Sequence, residues 1–274
     1  MLSVLYHLTD EAAKLSRQLT QTHLNIEEKS GPQDLVTNVD LANQAFLVGN
    51  LLKKWPTLPI VAEEQNVKSH KFEEIEVNPN ILKKDIPLSI IYPIDDITVY
   101  IDPIDGTKEF TEGFYSQATI LVGIVLKETP IAGIICQPWK EDSKDSERGI
   151  FIWGLVNHGT SSIHPSQLGT FINSLPDRTQ ESTNFTLTIS RSHSTPTLET
   201  MIKQFDPQNI IRVGGCGFKV LLLILGKADV YFHIKNSKWD TCAPEAILKC
   251  MGGTITDLSG VALVYGRSQP AINE

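Results

Sequence analysis

Four apolar, β-branched-rich stretches, at residues 97–101, 118–125, 131–137 and 149–155, follow one another through turn residues. Strands joined in this way favour a mostly antiparallel sheet. After residue 185 the rhythm changes. Strands at 186–190, 210–213, 228–233 and 254–257 are expected to alternate with helices at 197–204, 219–225 and 240–251, which is the α/β pattern. The polar, Pro- and Gly-containing stretch 158–184 reads as the junction, giving an α+β half (residues 1–178) followed by an α/β half (179–274).

Two helices precede the strand cluster. Leu2, Leu5, Leu8, Ala12, Leu15 and Leu19 recur at helical steps, one apolar stripe. The second helix is expected from 40 to 54, burying Leu41, Ala45, Phe46, Val48, Leu51 and Leu52, with Pro56 and Pro59 beyond its end. Residues 58–62 read as a short buried strand, and the charged stretch 65–89 as a surface excursion.

Composition narrows the function. Of 274 residues 41% are hydrophobic and 20% charged, enough for a packed core. Twenty-four Lys and Arg against 32 Asp and Glu leave a net charge of −8, which argues against nucleic acid or anionic membrane as a partner. An anionic substrate then needs positive charge from bound metal. Cys136, Cys216, Cys242 and Cys250 form no C-x-x-C pair and read as buried thiols of a reducing compartment. The apolar runs 118–126 and 220–225 fall far short of the ~20 residues of a membrane helix, and no leader is evident. The expectation is a soluble cytoplasmic protein.

The chemistry-bearing signal is Asp102-Pro103-Ile104-Asp105-Gly106-Thr107, directly after the first strand of the cluster. Two carboxylates three residues apart, with a proline between them, converge on one point. Gly106 and Thr107 then offer backbone N–H groups to an anion at a helix start. The alternative is an ordinary surface turn, the reading preferred for Asp95 and Asp96. Glu63-Glu64 follows a buried strand, where an unpaired carboxylate is costly. Asp40 and Asp240 each stand at a helix start, where capping is the simple explanation. Taken together, carboxylates at several element ends make an oxygen-lined site for Mg²⁺.

The segments at 34–40, 61–64, 102–113, 212–219 and 239–245 occur in the order seen in the lithium-sensitive, Mg²⁺-dependent phosphatases, and the chain resembles that superfamily. Its members include inositol monophosphatases, fructose-1,6-bisphosphatases and 3'(2'),5'-bisphosphate nucleotidases. The Asp105-Gly106-Thr107-Lys108-Glu109-Phe110 run and Trp239-Asp240-Thr241-Cys242-Ala243-Pro244-Glu245 look like the nucleotidase branch.

The resemblance implies a layered α/β/α/β/α sandwich with two or three Mg²⁺ ions and inhibition by Li⁺. Glu63, Asp102, Asp105, Asp240 and the Ile104 carbonyl would be ligands, and Thr107 would pass a proton from water to Asp40. Gly106 and Thr107 would hold the phosphate, and Ser190, His193, Gly215 and Lys219 the nucleotide. The expected reaction is hydrolysis of adenosine 3',5'-bisphosphate to AMP and phosphate, with 3'-phosphoadenylyl sulfate as a second substrate, by a monomer or homodimer. An inositol phosphatase acting on inositol 1,4-bisphosphate or a monophosphate, and a catalytically silent metal-binding regulatory protein, are the alternatives. Ala62 and Phe218 depart from the commoner Gly and Asn of such sequences.

Overall fold

A computed structural model describes residues 1–31, 34–64, 82, 91–163, 185–192, 194–266 and 272–273. Apart from Leu82, the expected excursion at 65–89 lies outside the described residues, as do His193, the 178/179 boundary and most of the junction. Helix α1 (Leu2–Thr22) carries the expected stripe. Its buried Thr9, Ser16 and Thr20 hydroxyls donate to the carbonyls of Leu5, Ala12 and Ser16, one turn back, so these polar residues bury without orphaned groups. The antiparallel pair β1 (Ile26–Gly31) and β2 (Asp34–Thr37) follows. Neither strand is foreshadowed by the apolar pattern.

Helix α2 (Asn38–Lys54) forms where expected, with a buried face that matches the expectation only in part. Ala45 and Leu51 are buried as expected and Phe46 and Val48 pack half-buried on the core, but Leu41 and Leu52 are 38% and 39% exposed, and Val39, Asn43, Leu47 and Asn50 are buried as well. Asn43 Nδ2 donates to Ser16 Oγ and to the Pro103 carbonyl. An amide whose nitrogen finds two acceptors can therefore take a core position that apolar periodicity assigns elsewhere.

Strands β3 (Ile60–Ala62) and β4 (Ile97–Asp105) come next, then the short helix α3 (Thr107–Thr111). Strands β5 (Thr119–Leu126), β6 (Thr129–Cys136), β7 (Phe151–Leu155) and β8 (Gly159–Ile163) complete a six-stranded sheet in the order β3-β4-β5-β6-β7-β8. Its pairs are antiparallel except β3–β4. β8 falls within the stretch expected to be a junction. Beyond it lie β9 (Thr186–Ser190), α4 (Pro196–Phe205), β10 (Asn209–Val213), α5 (Cys216–Ile224), β11 (Val230–Tyr231), β12 (Asn236–Ser237), α6 (Lys238–Cys250) and β13 (Ile272–Asn273). β9, β10 and β11 form a parallel sheet in the order β10-β9-β11. The strand expected at 254–257 is only an isolated Thr256–Ala262 bridge.

The layers follow from what each element buries. Leu5, Leu8, Leu47 and Leu51 of α1 and α2 pack on Val99, Ile101, Val122 and Ile134 from one face of the large sheet. Val220, Leu221, Ala243 and Ile247 of α5 and α6 pack on Leu121, Ile135 and Ile152 from the other. α5 also touches the three-stranded sheet, whose Leu187 and Ile189 meet Leu198 and Ile202 of α4. This is the α/β/α/β/α sandwich. α6 lies unusually close to the large sheet because Gly123 and Gly133, paired across β5 and β6, leave a groove. A Cβ on Gly123 would stand 2.3 Å from Cys242 Sγ, and one on Gly133 2.3 Å from the Ala243 carbonyl oxygen.

Candidate active site

The acidic motif lies inside a strand, not in a turn after it. β4 continues to Asp105, and its pairing with β5 slips between Asp102 and Asp105. Pro103 has no N–H to donate, and prolines within sheets collect at such irregularities. The Ile104 N–H leaves the ladder and donates to Asp102 Oδ1 at 3.1 Å. The chain turns only at Gly106, whose φ is +84°, and α3 begins at Thr107 as expected.

Both oxygens of Asp105 accept from protein, and Oδ1, with a single donor, keeps a lone pair. Its Oδ1 accepts the Cys216 N–H at 2.8 Å, and Oδ2 accepts the Gly217 N–H at 2.7 Å and the Thr119 hydroxyl at 2.7 Å. Gly215, at the start of α5, has no side chain with which to cap it, so a carboxylate from β4 satisfies the first amides of a helix in the other half. The glycines of this turn make room for acids: a Cβ on Gly214 would fall 2.0 Å from the Glu109 carboxyl carbon.

Asp40 and Asp240 occupy matching places, each three residues after the capping residue and not at the cap itself. The Thr37 N–H donates to Asp40 Oδ2 at 2.9 Å, and the Ser237 N–H donates to Asp240 Oδ2 at 2.9 Å. This reciprocal arrangement spends one oxygen on the helix and leaves the other for the site. The Thr37 hydroxyl also donates to Asp40 Oδ2, while Thr107 Oγ1 lies 3.0 Å from Asp40 Oδ1 and 2.8 Å from the Ile104 carbonyl oxygen. One hydroxyl hydrogen cannot serve both acceptors. With Asp40 neutral, the acid donates to Thr107 and Thr107 donates to Ile104. With Asp40 ionised, Thr107 turns to Asp40 and frees a lone pair of the carbonyl. Burial pushes Asp40 up to about 7, with the charges of Glu63 and Glu64 adding to it, so both states lie within reach of neutral pH.

Glu63 and Glu64 follow β3. Gln44 holds Glu64 from both sides, accepting its N–H at 2.8 Å and donating to its carbonyl at 2.5 Å. Lys29 of β1 donates to Glu63 Oε1 at 2.8 Å and to Glu64 Oε1 at 2.6 Å. Burial alone lowers an ammonium, but the two glutamates outweigh it and hold Lys29 above the ordinary lysine range. Lys29 escapes a reading of the sequence because Glu27-Glu28-Lys29 looks like a solvated charge run.

Glu63, Asp102, Ile104, Asp105, Thr107 and Asp240 line one cavity of about 840 Å³. Burial, then the surrounding carboxylates, raises Asp102 and Asp240 well above the usual range; burial likewise raises Asp105 against the pull of Lys219. Several acids in one partly desolvated space cannot all ionise without a cation. The donor set, carboxylates plus one carbonyl oxygen, suits a hard divalent ion. Among the described residues no three acidic, His or Cys side chains form a ready-made cage.

The expected substrate contacts Ser190, Gly106, Gly215 and Lys219 line the same cavity. Lys219 is 2% exposed, its Nζ 5.2 Å from the Tyr231 ring centroid, and burial lowers it against the pull of Asp105, Glu109 and Asp240. Tyr231 itself goes unnoticed in the sequence, where it lies in an apolar strand. The cavity meets the N-termini of α2, α3, α5 and α6, an arrangement that favours anions. Among the described residues no helix is long and apolar enough to cross a membrane.

A model of the Inositol monophosphatase family matches residues 1–274. A 3'(2'),5'-bisphosphate nucleotidase 1 of Mus musculus is 33% identical over 279 residues, covering 98% of this chain and 86% of that protein. Among solved structures, a Thermotoga maritima IMPase superimposes with a TM-score of 0.70 at 20% identity, covering 95% of this chain and 87% of that one. An IMPase/NADP phosphatase complexed with Mg²⁺ and phosphate gives 0.69 at 18% identity, with 96% and 85% covered. The last two likenesses concern the fold.

Proposed function

Because the chain belongs to the inositol monophosphatase family, we infer that it is a phosphatase that removes the 3'-phosphate of adenosine 3',5'-bisphosphate, leaving AMP and phosphate. The observation that carries the reading is the Thr107–Asp40 pair beside the acidic cluster: a metal store needs no proton relay. The choice of a nucleotide is supported by the mouse relative's activity, by the cavity volume and by Lys219 at its wall. 3'-Phosphoadenylyl sulfate, with the same 3'-phosphate, is the second substrate.

Glu63, Asp102, Asp105, Asp240 and the Ile104 carbonyl are the groups suited to Mg²⁺, which when bound lowers the pKa of water and neutralises the leaving oxygen. The residues supply the rest. Gly106 and Thr107 N–H groups orient the phosphate. Thr107 Oγ1 accepts the proton of the attacking water as its own proton passes to Asp40 Oδ1, and in-line attack forms no phospho-enzyme. Ser190, His193, Gly215 and Lys219 hold the nucleotide, Lys219 meeting the 5'-phosphate.

Phosphate release from adenosine 3',5'-bisphosphate, inositol 1-phosphate, inositol 1,4-bisphosphate and fructose 1,6-bisphosphate, with Mg²⁺ or EDTA, tests the reading. Preference for an inositol phosphate overturns the substrate assignment. No release from any of them with Mg²⁺ leaves a silent metal-binding protein.

A further inference from the structure

Two loops beside the cavity are tied to α3 by one buried carboxylate. Glu109, in α3, is 3% exposed and fills the space against Gly214 in the turn after β10. Arg191, in the turn after β9, donates through Nη2 to Glu109 Oε1 at 3.3 Å and to Glu112 Oε2. Its guanidinium lies 4.7 Å from the Phe114 ring centroid. Backbone bonds complete the connection: the Arg191 N–H donates to the Val213 carbonyl at 3.1 Å, and the Gly214 N–H to Gln117 Oε1 at 2.7 Å. Ser190, Ser192 and Glu109 line the cavity, whereas Arg191 is not among its lining residues.

We propose that the Arg191–Glu109 pair is a clasp that sets the affinity for the nucleoside part of the substrate by holding the loops after β9 and β10 against α3, with Arg191 acting from outside the cavity. The inference rests on the nucleotidase reading above. The phosphate cradle at Gly106-Thr107 has supports outside the clasped loops, Asp40 on Thr107 and Thr119 on Asp105, so it does not need the clasp. Ser190 and Gly215 stand at the ends of the two clasped loops, and Lys219 follows one turn into α5. Glu109 also acts on the Lys219 charge. With Arg191 gone, an uncompensated buried carboxylate competes for that ammonium and the loops lose their shared anchor. A displacement of this kind weakens substrate positioning far more than its size suggests.

The test compares Arg191→Ala, Arg191→Lys and Glu109→Gln with wild type in the full chain with Mg²⁺. KM and kcat for adenosine 3',5'-bisphosphate are measured with the inhibition constants of the two products, and thermal unfolding confirms that each variant is folded. AMP reports on the nucleoside end and inorganic phosphate on the cradle alone. The expectation for Arg191→Ala and Glu109→Gln is a rise of roughly tenfold in KM and in the AMP constant, with kcat and the phosphate constant within about threefold. Arg191→Lys should recover part of the loss. A parallel rise in the phosphate constant, a collapse of kcat at constant KM, or wild-type behaviour overturns the clasp. If Arg191→Ala is unfolded at the assay temperature, the other two variants carry the same comparison. A wild type that does not hydrolyse adenosine 3',5'-bisphosphate refutes the nucleotidase reading instead, before any variant is compared.

Discussion

Replacing Asp40 by Asn should stabilise the metal-free chain at neutral pH and abolish its turnover. The amide fits the site. Its oxygen accepts the Thr37 N–H and hydroxyl, and its nitrogen donates to Thr107 Oγ1, whose hydrogen then rests on the Ile104 carbonyl. No bond is lost and no charge is buried. In the wild type, burial raises Asp40 from 3.8 to about 7. The stability of its neutral form is therefore fully present below the unfolded value and lost as pH rises through the folded one. At 1.36 kcal/mol per pH unit, the ionised acid costs about 4 kcal/mol above neutrality, of which about 3 accrues between pH 5 and pH 8. For a chain of this size that second figure corresponds to about 6 °C in Tm. The assay is thermal unfolding of both proteins in EDTA at pH 5 and pH 8, with phosphate release in Mg²⁺ on the same preparations. The variant should gain over wild type by that margin more at pH 8 than at pH 5. It should lose roughly 10²-fold or more in kcat, because Thr107 can no longer hand on a proton. A gain independent of pH would show that Asp40 carries no buried charge, and near-normal turnover would remove it from the relay.

Thr107→Ala should cost roughly 10²-fold in kcat while calorimetric Mg²⁺ binding survives, and Thr107→Ser should restore much of the rate; lost Mg²⁺ binding would point to a structural role instead. Lys29→Met should tighten Mg²⁺ binding by roughly tenfold, because the ammonium competes for Glu63, and should lower the Tm in EDTA; weaker Mg²⁺ binding would mean that Lys29 positions the glutamate. LiCl at roughly tens of millimolar and fixed Mg²⁺ should inhibit uncompetitively, since Li⁺ fits an oxygen cage with half the charge. Equal inhibition by KCl, or a competitive pattern, would contradict this. Gly133→Ala should cost about 2–3 kcal/mol by pressing on the Ala243 carbonyl, read as a fall of about 5 °C in Tm; an unchanged midpoint would show that α6 can move off the sheet.

Sequence periodicity determined those elements whose partners matter least. β9 appears over the expected residues, α1 carries its apolar stripe, and the clustered strands form an antiparallel sheet, because strand and helix repeats are local properties of the chain. The short acidic blocks likewise pointed to a hard-cation site, since carboxylates gathered at several element ends suit an oxygen-bound ion, and the phosphatase expectation came from their resemblance to a known superfamily. The face of α2 was a tertiary decision: Asn43 can bury only because Ser16 Oγ and the Pro103 carbonyl are there to receive its amide. The same holds for the placement of Asp102 and Asp105 within β4, since the slip against β5 and the α5 amides that Asp105 caps belong to segments remote in the chain. Lys29 on Glu63 and Arg191 on Glu109 join residues 34 and 82 positions apart. A charge pair at such distance leaves no trace in local patterning, because its energy depends on separation in space and on the desolvation that the assembled layers impose.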